Sequence, residues 1–188
     1  EPIEGDYLEF RLRRYLTFAE FKTELAPHFG LGLEGYATWT SPIRKYSDMV
    51  NHRLIKAVLT GQPTEKPQDS VISRLQEARR QNRLVERDIA DWLYCRYLAD
   101  KVAENAEFEA EVQDVMRGGL RVQLLENGAS MFIPASTLHN NKEEMQVNPD
   151  ELALYIKGER IYKIGDIVKV KLTEVKEETR SIVGQIIA

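Results

Sequence analysis

Apolar residues in the first half of the chain recur at helical spacing and predict two helices. Between Pro42 and Gly61 they fall every three or four residues, which predicts an amphipathic helix that ends near Gly61. The polar stretch 62–68, which contains two prolines, then breaks the pattern. A second, long helix is predicted over about 69–104, where one stripe advances in alternating steps of four and three. That stripe consists of Val71, Leu75, Ala78, Asn82, Val85, Ile89, Trp92 and Arg96.

The beginning of the chain carries weaker local signals. Thr17 and Glu20 have the spacing of a capping box, which predicts a short helix that ends near 27–30. Gly30, Gly32 and Gly35 follow in a GxGxxG arrangement. No strand precedes this arrangement and no βαβ unit follows it, so we do not interpret it as a dinucleotide site.

In the second half the apolar period changes to two. Five segments, FEAEVQDVM, GLRVQLLE, ASMFIPA, DIVKVKLTEV and RSIVGQII, read as strands. Asn127-Gly128 predicts a hairpin between the second and third. Five short strands in about 80 residues are typical of an OB-type barrel. The segment between His139 and Gly158 is long for this pattern, and we expect it to be an insertion on the barrel rim.

The fold class predicted from these patterns is α+β. A mainly helical domain, residues 1–106, is followed by a five-stranded OB-fold barrel, residues 107–188. Charge differs between the two. Residues 1–106 carry 16 Lys+Arg and 16 Asp+Glu, whereas 107–188 carry 10 against 14, which accounts for the net charge of −4. This balance excludes a strongly basic, non-specific nucleic-acid binder, so binding to RNA would depend on local clusters.

Other features of the composition bear on location. No apolar run approaches the roughly 20 residues needed to span a bilayer, so no membrane is expected. One cysteine, Cys95, cannot form an internal disulfide, which favours a cytoplasmic protein. The chain has no initiator methionine and no segment like a signal peptide, and we expect it to be a fragment.

The segment from Tyr36 to Arg53, YATWTSPIRKYSDMVNHR, combines a helix start with a basic side chain. Ser41 is a favourable N-cap and Pro42 suits the first helical position. Arg44 is then predicted in the first turn, where the helix dipole favours an anion and a guanidinium can clamp a phosphate. Two interpretations stay open: Arg44 binds a phosphate, or it pairs with a nearby carboxylate.

This segment resembles the SPIRRY block of the ribonuclease II family, hydrolases that degrade single-stranded RNA from its 3′ end. The family pattern is Tyr-x-His-Phe-Thr-Ser-Pro-Ile-Arg-Arg-Tyr-x-Asp-Leu-x-x-His-Arg. The chain departs from it at Thr38, which replaces the histidine, and conservatively at Trp39, Lys45 and Met49. The matching residues are Tyr36, Thr40, Ser41, Pro42, Ile43, Arg44, Tyr46, Asp48, His52 and Arg53.

The resemblance implies roles for particular residues. Arg44 would be catalytic and stabilise charge near the scissile phosphate. Glu86, within ERDIADWLYCRYL, would contact the terminal nucleotide, whereas its alternative is a surface salt bridge with Arg83 or Arg79. Asp48, one turn beyond Arg44, is a candidate for orienting it.

Aromatic residues of the motif have two interpretations. Tyr36 and Tyr46 are predicted to bind substrate, together with Trp39, by stacking on bases. The alternative is that these aromatics belong to the core. His52 has no second histidine or cysteine at ligand spacing, so we expect it to have a structural role.

The last segment resembles the RNA-binding OB domain named after ribosomal protein S-one, which ends enzymes of this family. Gly165-Asp166-x-Val and the closing 179–182, TRSI, carry this resemblance. Phe132 is a candidate stacking platform or a core residue. Basic residues predicted to contact RNA phosphates are Arg117, Arg121, Lys169, Lys171 and Arg180.

The family's chemistry uses Mg²⁺ held by clustered aspartates, and the resemblance places that cluster upstream of this sequence. Asp88 and Asp91 are one helical turn apart, flanked by Arg83 and Arg87, and we expect surface ion pairs there rather than a metal site. The isolated chain is therefore expected to be inactive, with the upstream part of the same protein as its partner and a monomeric full-length enzyme.

Two further hypotheses belong to other classes. A non-catalytic RNA-binding module would keep the family scaffold without its metal site. A purely structural reading makes the long helix a surface for docking a partner.

Overall fold

The computed structural model describes residues 15–187, which divide into two compact units. One unit is 17–85, and the other contains 86–187 with residues 15–16. The predicted fold class is confirmed, since helices precede a closed five-stranded barrel. The predicted domain limit at 106/107 stays a prediction.

Two helices define the first unit. Helix α1 spans Tyr46–Leu59, and residues 69–85 of helix α2, Asp69–Ala103, belong to this unit as well. Helix α2 agrees with the prediction almost to the residue. A single 3₁₀ turn, Phe29–Leu31, precedes α1 and ends at Gly32 in the left-handed conformation, with φ of 62°.

The predicted start of α1 was wrong by about one turn. The carbonyl oxygen of Ser41 accepts from the backbone N–H groups of Arg44 (3.2 Å) and Lys45 (2.9 Å), which closes an isolated turn. The helical ladder begins only at Lys45, whose carbonyl accepts from Met49. Arg44 therefore lies in a tight turn that precedes the helix, not in its first turn.

The short helix predicted after Thr17 is absent from residues 17–27 of the described chain. Side chains on one face of α2 bind this segment instead. The Gln76 amide donates to the Phe21 carbonyl (3.0 Å), and the Arg79 guanidinium donates to the Ala19 carbonyl (3.4 Å). Arg83 lies over the Phe18 ring, 4.5 Å from its centroid. Side chains of the long helix thus satisfy the carbonyls that a short helix would have used, and the local capping signal is overridden.

The second unit is built around the barrel, and all five predicted strands are present. Its strands are β1 Glu107–Met116, β2 Gly119–Leu124, β3 Ser130–Pro134, β7 Ile167–Lys176 and β8 Ser181–Ile186. They close in the order β1-β2-β3-β8-β7; β3 and β8 are parallel and the other neighbours antiparallel. The predicted hairpin at Asn127-Gly128 joins β2 to β3, with Gly128 at a φ of 81°. Alternating burial along β2 places Leu120, Val122 and Leu124 in the core.

The predicted insertion forms an antiparallel sheet of its own. After the short helix α3, Ala135–Leu138, and a 3₁₀ turn, Lys142–Glu144, come β4 Met145–Asn148, β5 Ala153–Ile156 and β6 Glu159–Lys163. Leu152, Leu154 and Ile164 are buried in the same hydrophobic cluster as the barrel strands. The insertion is therefore part of the core, which the rim assignment did not anticipate.

The C-terminal part of α2 also contributes to that core. Cys95 and Leu98 are fully buried in the barrel's hydrophobic cluster. Tyr94 donates its hydroxyl to the Asn127 carbonyl at 3.0 Å. The end of the helix and the β2–β3 hairpin therefore pack as one body.

We expect Gly119→Ala to destabilise the barrel strongly. Gly119 has a φ of 143°, and an added Cβ would collide with the carbonyl oxygen of Ile133 and lie 2.9 Å from the Ala135 nitrogen. Neither backbone atom can move without breaking the β2–β3 pairing, so the free energy of unfolding should fall by roughly 2–4 kcal/mol. Denaturant unfolding of the chain measures it.

The neighbouring Gly118→Ala is the matched control. Its Cβ would meet only the Phe132 ring, at an ordinary contact distance of 3.7 Å. Equal losses in the two variants would contradict the assignment of the effect to the Gly119 backbone.

Candidate nucleic-acid interface

The turn that carries Arg44 is held by one face of α1. Asp48, Asn51 and His52 are three and four residues apart and therefore lie side by side on the helix. The Asn51 amide donates to the Thr38 carbonyl at 2.7 Å, and His52 Nε2 donates to the Trp39 carbonyl at 2.7 Å. The structural role expected of His52 is thereby visible, because it anchors the backbone before the turn.

Asp48 makes the central contacts of this arrangement. Its carboxylate accepts from Thr38 Oγ1 (2.6 Å), from the Ser41 N–H (2.9 Å) and from Ser47 Oγ (3.3 Å). The hydrogen bond from Thr38 holds the pKa of this carboxyl below its ordinary value; burial opposes that shift, and the bonds from Ser41 and Ser47 add to it. Ser41 thus donates its backbone N–H to Asp48 and does not act as an N-cap. This contact explains why the helix starts later than predicted.

Arg44 projects from this turn into solvent. Its side chain is exposed, and the preceding Ile43 is 99% exposed. None of the ion pairs within residues 15–187 includes Arg44. The alternative of a carboxylate partner is therefore not seen in that part of the chain, and the guanidinium is available to a ligand.

The aromatic residues of the motif are half exposed, so they are not part of a core formed by the described residues. Tyr36, Trp39 and Tyr46 expose 56%, 45% and 53% of their surfaces. Tyr36 makes an edge contact with His28 (5.5 Å between ring centroids), and Trp39 lies against His52 at 5.3 Å. Each ring leaves a substantial apolar area open to solvent.

A cavity of about 660 Å³ opens within the same unit. The cavity is lined by Thr38 and Asn51, which help to hold the Arg44 turn, and by Tyr36, His28 and Arg79. Among the described residues, His28 Nδ1 is buried without a hydrogen-bond partner. Polar and aromatic side chains thus line one cavity next to the residues that hold the Arg44 turn.

Glu86 is exposed on α2. Its two proposed helix partners are otherwise engaged, since Arg83 lies over Phe18 and Arg79 over Phe21. No ion pair between described side chains includes Glu86. Its predicted contact with a nucleotide stays a prediction.

The barrel distinguishes between the predicted basic residues. Lys169 and Lys171 on β7 stand directly opposite Glu109 and Glu107 on β1. Side chains of such cross-strand partners on the outer face are neighbours, so the glutamates offset these two positive charges. Both lysines are consequently weaker candidates for phosphate binding than the sequence indicated.

Arg180 has a carboxylate partner as well. Its Nη1 lies 2.9 Å from Asp88 Oδ2. The ion pair expected of Asp88 therefore exists, but with a residue of the β7–β8 connection and not with a neighbour on the helix. The pair engages Arg180, which the sequence analysis had assigned to RNA phosphates.

Arg121 and Arg117 are placed differently. Arg121 is exposed on β2 and stands opposite the partly buried Phe132 on β3. Arg117 is exposed in the turn between β1 and β2. The pair formed by Arg121 and Phe132 combines a cation with an aromatic ring on the outer surface of neighbouring strands.

The described residues do not supply a metal site. Between Tyr15 and Ile187, no three side chains of the His, Cys, Asp or Glu type come together at ligand spacing. Asp88, the nearest candidate, is bound to Arg180.

Comparison with known proteins finds a domain model that matches each part of the chain. A family model of the RNB domain matches residues 2–61, which include the Arg44 turn, and a model of the S1 RNA binding domain matches residues 101–187, which include the barrel. Residues 2–61 are therefore similar to an RNB domain, and residues 101–187 are similar to an S1 RNA binding domain.

Relatives of known name extend over the whole chain. It is 89% identical over 187 residues to Exoribonuclease 2 of Haemophilus influenzae strain Rd and 79% identical to Exoribonuclease 2 of Mannheimia succiniciproducens. The alignments cover 100% of this chain and 28% of each relative. The chain therefore spans little more than a quarter of the length of the relatives it matches.

Solved structures agree on the fold. RNase R of Mycoplasma genitalium in complex with ribose methylated single-stranded RNA matches 94% of this chain with a TM-score of 0.81 and 23% identity. The apo form of the same protein matches with a TM-score of 0.77. In both, the match covers 28% of the RNase R chain.

No helix within residues 15–187 is both long and apolar enough to cross a membrane.

Sequence reasoning missed two residues of this candidate site. Asn51 was not singled out, although its spacing of three from Asp48 places both on one helix face. Thr38 was noted only as a departure from the family pattern, whereas it donates the shortest of the hydrogen bonds to Asp48. Both contacts cross a turn whose shape local sequence signals had not indicated.

We expect Thr38→Val to lower the thermal stability of the chain near neutral pH. The lost hydrogen bond is the main reason that the pKa of Asp48 is depressed below 3.8. A depressed pKa stabilises the fold above the unfolded value and stops doing so as the pH falls through the folded one. The difference in Tm between the two proteins should therefore be full at neutral pH and shrink below about pH 4.

Thr60→Val is the control for that measurement. The Thr60 hydroxyl donates to the Lys56 carbonyl at an exposed helix end and has no carboxylate acceptor among the described residues. A Tm difference for Thr38→Val that is independent of pH would show that Asp48 is not the group involved.

Proposed function

We propose that this chain is the C-terminal portion of an exoribonuclease II that hydrolyses single-stranded RNA processively in the 3′→5′ direction to nucleoside monophosphates. The observation that carries the proposal is Arg44, an exposed guanidinium on a turn fixed by hydrogen bonds and without an ion-pair partner among residues 15–187. High identity to proteins named Exoribonuclease 2 along the entire chain supports it.

Arg44 would act on the scissile phosphate. A guanidinium presents its N–H donors in a planar fork that fits two phosphate oxygens, and its charge persists at any physiological pH. Because the turn is fixed, the charge would meet the extra negative charge of the transition state with little reorganisation. This role needs a guanidinium without an ion-pair partner, and Arg44 has none among residues 15–187.

Other residues of the first half would bind the substrate. Glu86 would accept hydrogen bonds from the terminal nucleotide, in agreement with its exposure and its lack of an ion-pair partner within residues 15–187. Tyr36 and Tyr46 would stack on bases, for which their half-exposed rings offer a π-face.

The barrel would guide RNA toward the catalytic part. Arg121 and Phe132 combine a guanidinium with an aromatic ring, and both can stack on unpaired bases without reading sequence. Arg117 lies in the turn that leads into β2, the strand of Arg121. Lys169 and Lys171 would add less, because glutamates face them.

The remaining parts of the machinery lie outside this chain. A divalent cation, Mg²⁺, would be held by aspartates in the upstream part of the same protein, so the isolated chain would be inactive. We place the full-length enzyme in the cytoplasm as a monomer. The single, buried Cys95 supports a reducing compartment.

A direct test uses the full-length protein with 5′-labelled single-stranded RNA, analysed on a denaturing gel. Progressive shortening from the 3′ end is expected, and the chain alone should leave the RNA intact. If the full-length protein binds the RNA but never shortens it, a non-catalytic RNA-binding module is the correct function.

We expect Arg44→Lys in the full-length enzyme to cut the single-turnover rate roughly a hundredfold while RNA affinity changes little. Lysine keeps the charge but loses the planar fork. Arg74→Lys, an exposed position on α2, is the control and should leave the rate unchanged. A comparable loss of rate and affinity in Arg44→Lys would contradict a cleavage-specific role.

On the barrel, Arg121→Ala should weaken binding of long RNA and reduce the slope of log affinity against log salt by about 0.7, the value for one phosphate contact on a single strand. Lys169→Ala should change the slope less, because the carboxylate of Glu109 opposite it already offsets the lysine charge. Binding titrations at several salt concentrations distinguish the two. Equal effects would show that the cross-strand glutamates do not matter.

A further inference from the structure

Asp48 is the single charged side chain that is fully buried among residues 15–187, at 0% exposure. Burying a carboxylate is unfavourable unless donors replace its water. Here the donors come from Thr38, Ser41 and Ser47, which lie before and within the start of α1. The proposed function gives this buried charge no role of its own.

The contacts of Asp48 lead to Arg44 by a short path. Asp48 Oδ2 accepts the Ser41 N–H, and the carbonyl of the same serine accepts the N–H of Arg44. Ser41 is therefore held at both its backbone polar groups. Because a peptide unit is rigid, a shift of Ser41 would move the whole turn and its guanidinium.

The other carboxylate oxygen fixes the segment before the turn. Oδ1 accepts the Thr38 hydroxyl, and Asn51 binds the carbonyl of the same threonine. Thr38 and Ser41 are thus both anchored to the buried carboxylate, one on each oxygen. The backbone that leads into the turn is therefore held in place at Thr38 and at Ser41.

We propose that Asp48 is a positioning residue for catalysis, which holds the Arg44 turn through Ser41 and depends on Thr38 to do so. This inference rests on the proposed function. Asp48 does not touch the guanidinium in this scheme; it sets where the backbone presents it. The role therefore belongs to the rate of the chemical step and not to the binding of RNA.

A purely structural role of Asp48 predicts a different result. If Asp48 only supports folding, its loss lowers the amount of active protein, and every activity falls in proportion. If it acts through Arg44, its loss matters only while Arg44 is present. The two cases separate in a double-mutant cycle.

The experiment measures single-turnover rate, RNA affinity and Tm for full-length enzymes that carry Asp48→Asn, Arg44→Ala or both. Asp48→Asn should lower the rate roughly ten- to a hundredfold, as misplacement of a catalytic group by about 1 Å does, with affinity unchanged within about twofold. In the Arg44→Ala background the same change should lower the remaining rate by less than about twofold. Asp69→Asn, at an exposed aspartate in the first turn of α2, is the matched control.

Thr38 supplies a second test in case Asp48→Asn does not fold. Thr38→Val should reduce the rate with unchanged affinity, and Thr38→Ser, which keeps the hydroxyl, should restore it. A rate unchanged in Thr38→Val and in any folded Asp48→Asn protein would overturn the proposal. Equal losses from Asp48→Asn in the presence and absence of Arg44 would overturn it too. A wild-type enzyme that never shortens RNA would instead contradict the proposed function.

Discussion

Side chains of the long helix α2 make contacts that stabilise both units of the chain. Only Cys95 and Leu98 are fully buried on this helix of 35 residues. Its first part binds the 17–27 segment through the side chains of Gln76, Arg79 and Arg83, not through an apolar stripe. Its last part closes the barrel core. The helix is about 50 Å long, and in the protein its stability comes mostly from such tertiary contacts.

Sequence patterns predicted the elements better than their ends. The period-two strands and the long helix follow from residues that repeat, and such signals are strong because many positions agree. The capping box at Thr17 and the Ser41-Pro42 start each depended on two residues. In both places a hydrogen bond outweighed a local preference of about 1 kcal/mol: the Gln76 amide donates to the Phe21 carbonyl, and the Asp48 carboxylate accepts from the Ser41 N–H.

The candidate site was predictable in composition but not in detail. The motif identified Arg44 and the aromatic residues around it. Charge alone did not distinguish Arg121 from Lys169, because the difference lies in the strand register that sets Glu109 opposite the lysine. The partners of Asp48 were equally hidden, since a contact across ten residues with Thr38 has no local signature. The strand register and the tertiary contacts, not the residue type, decide which charges remain available to bind RNA.

The β4–β6 sheet has a consequence for how this barrel can vary. Leu152, Leu154 and Ile164 complete the same hydrophobic cluster as the barrel strands. A surface loop can be shortened at little cost, but removal of this segment would uncover part of the interior and leave several strand residues wet. The segment is therefore an integral part of the barrel core. A shorter version of this domain would need larger side chains elsewhere to fill the volume that the insertion occupies.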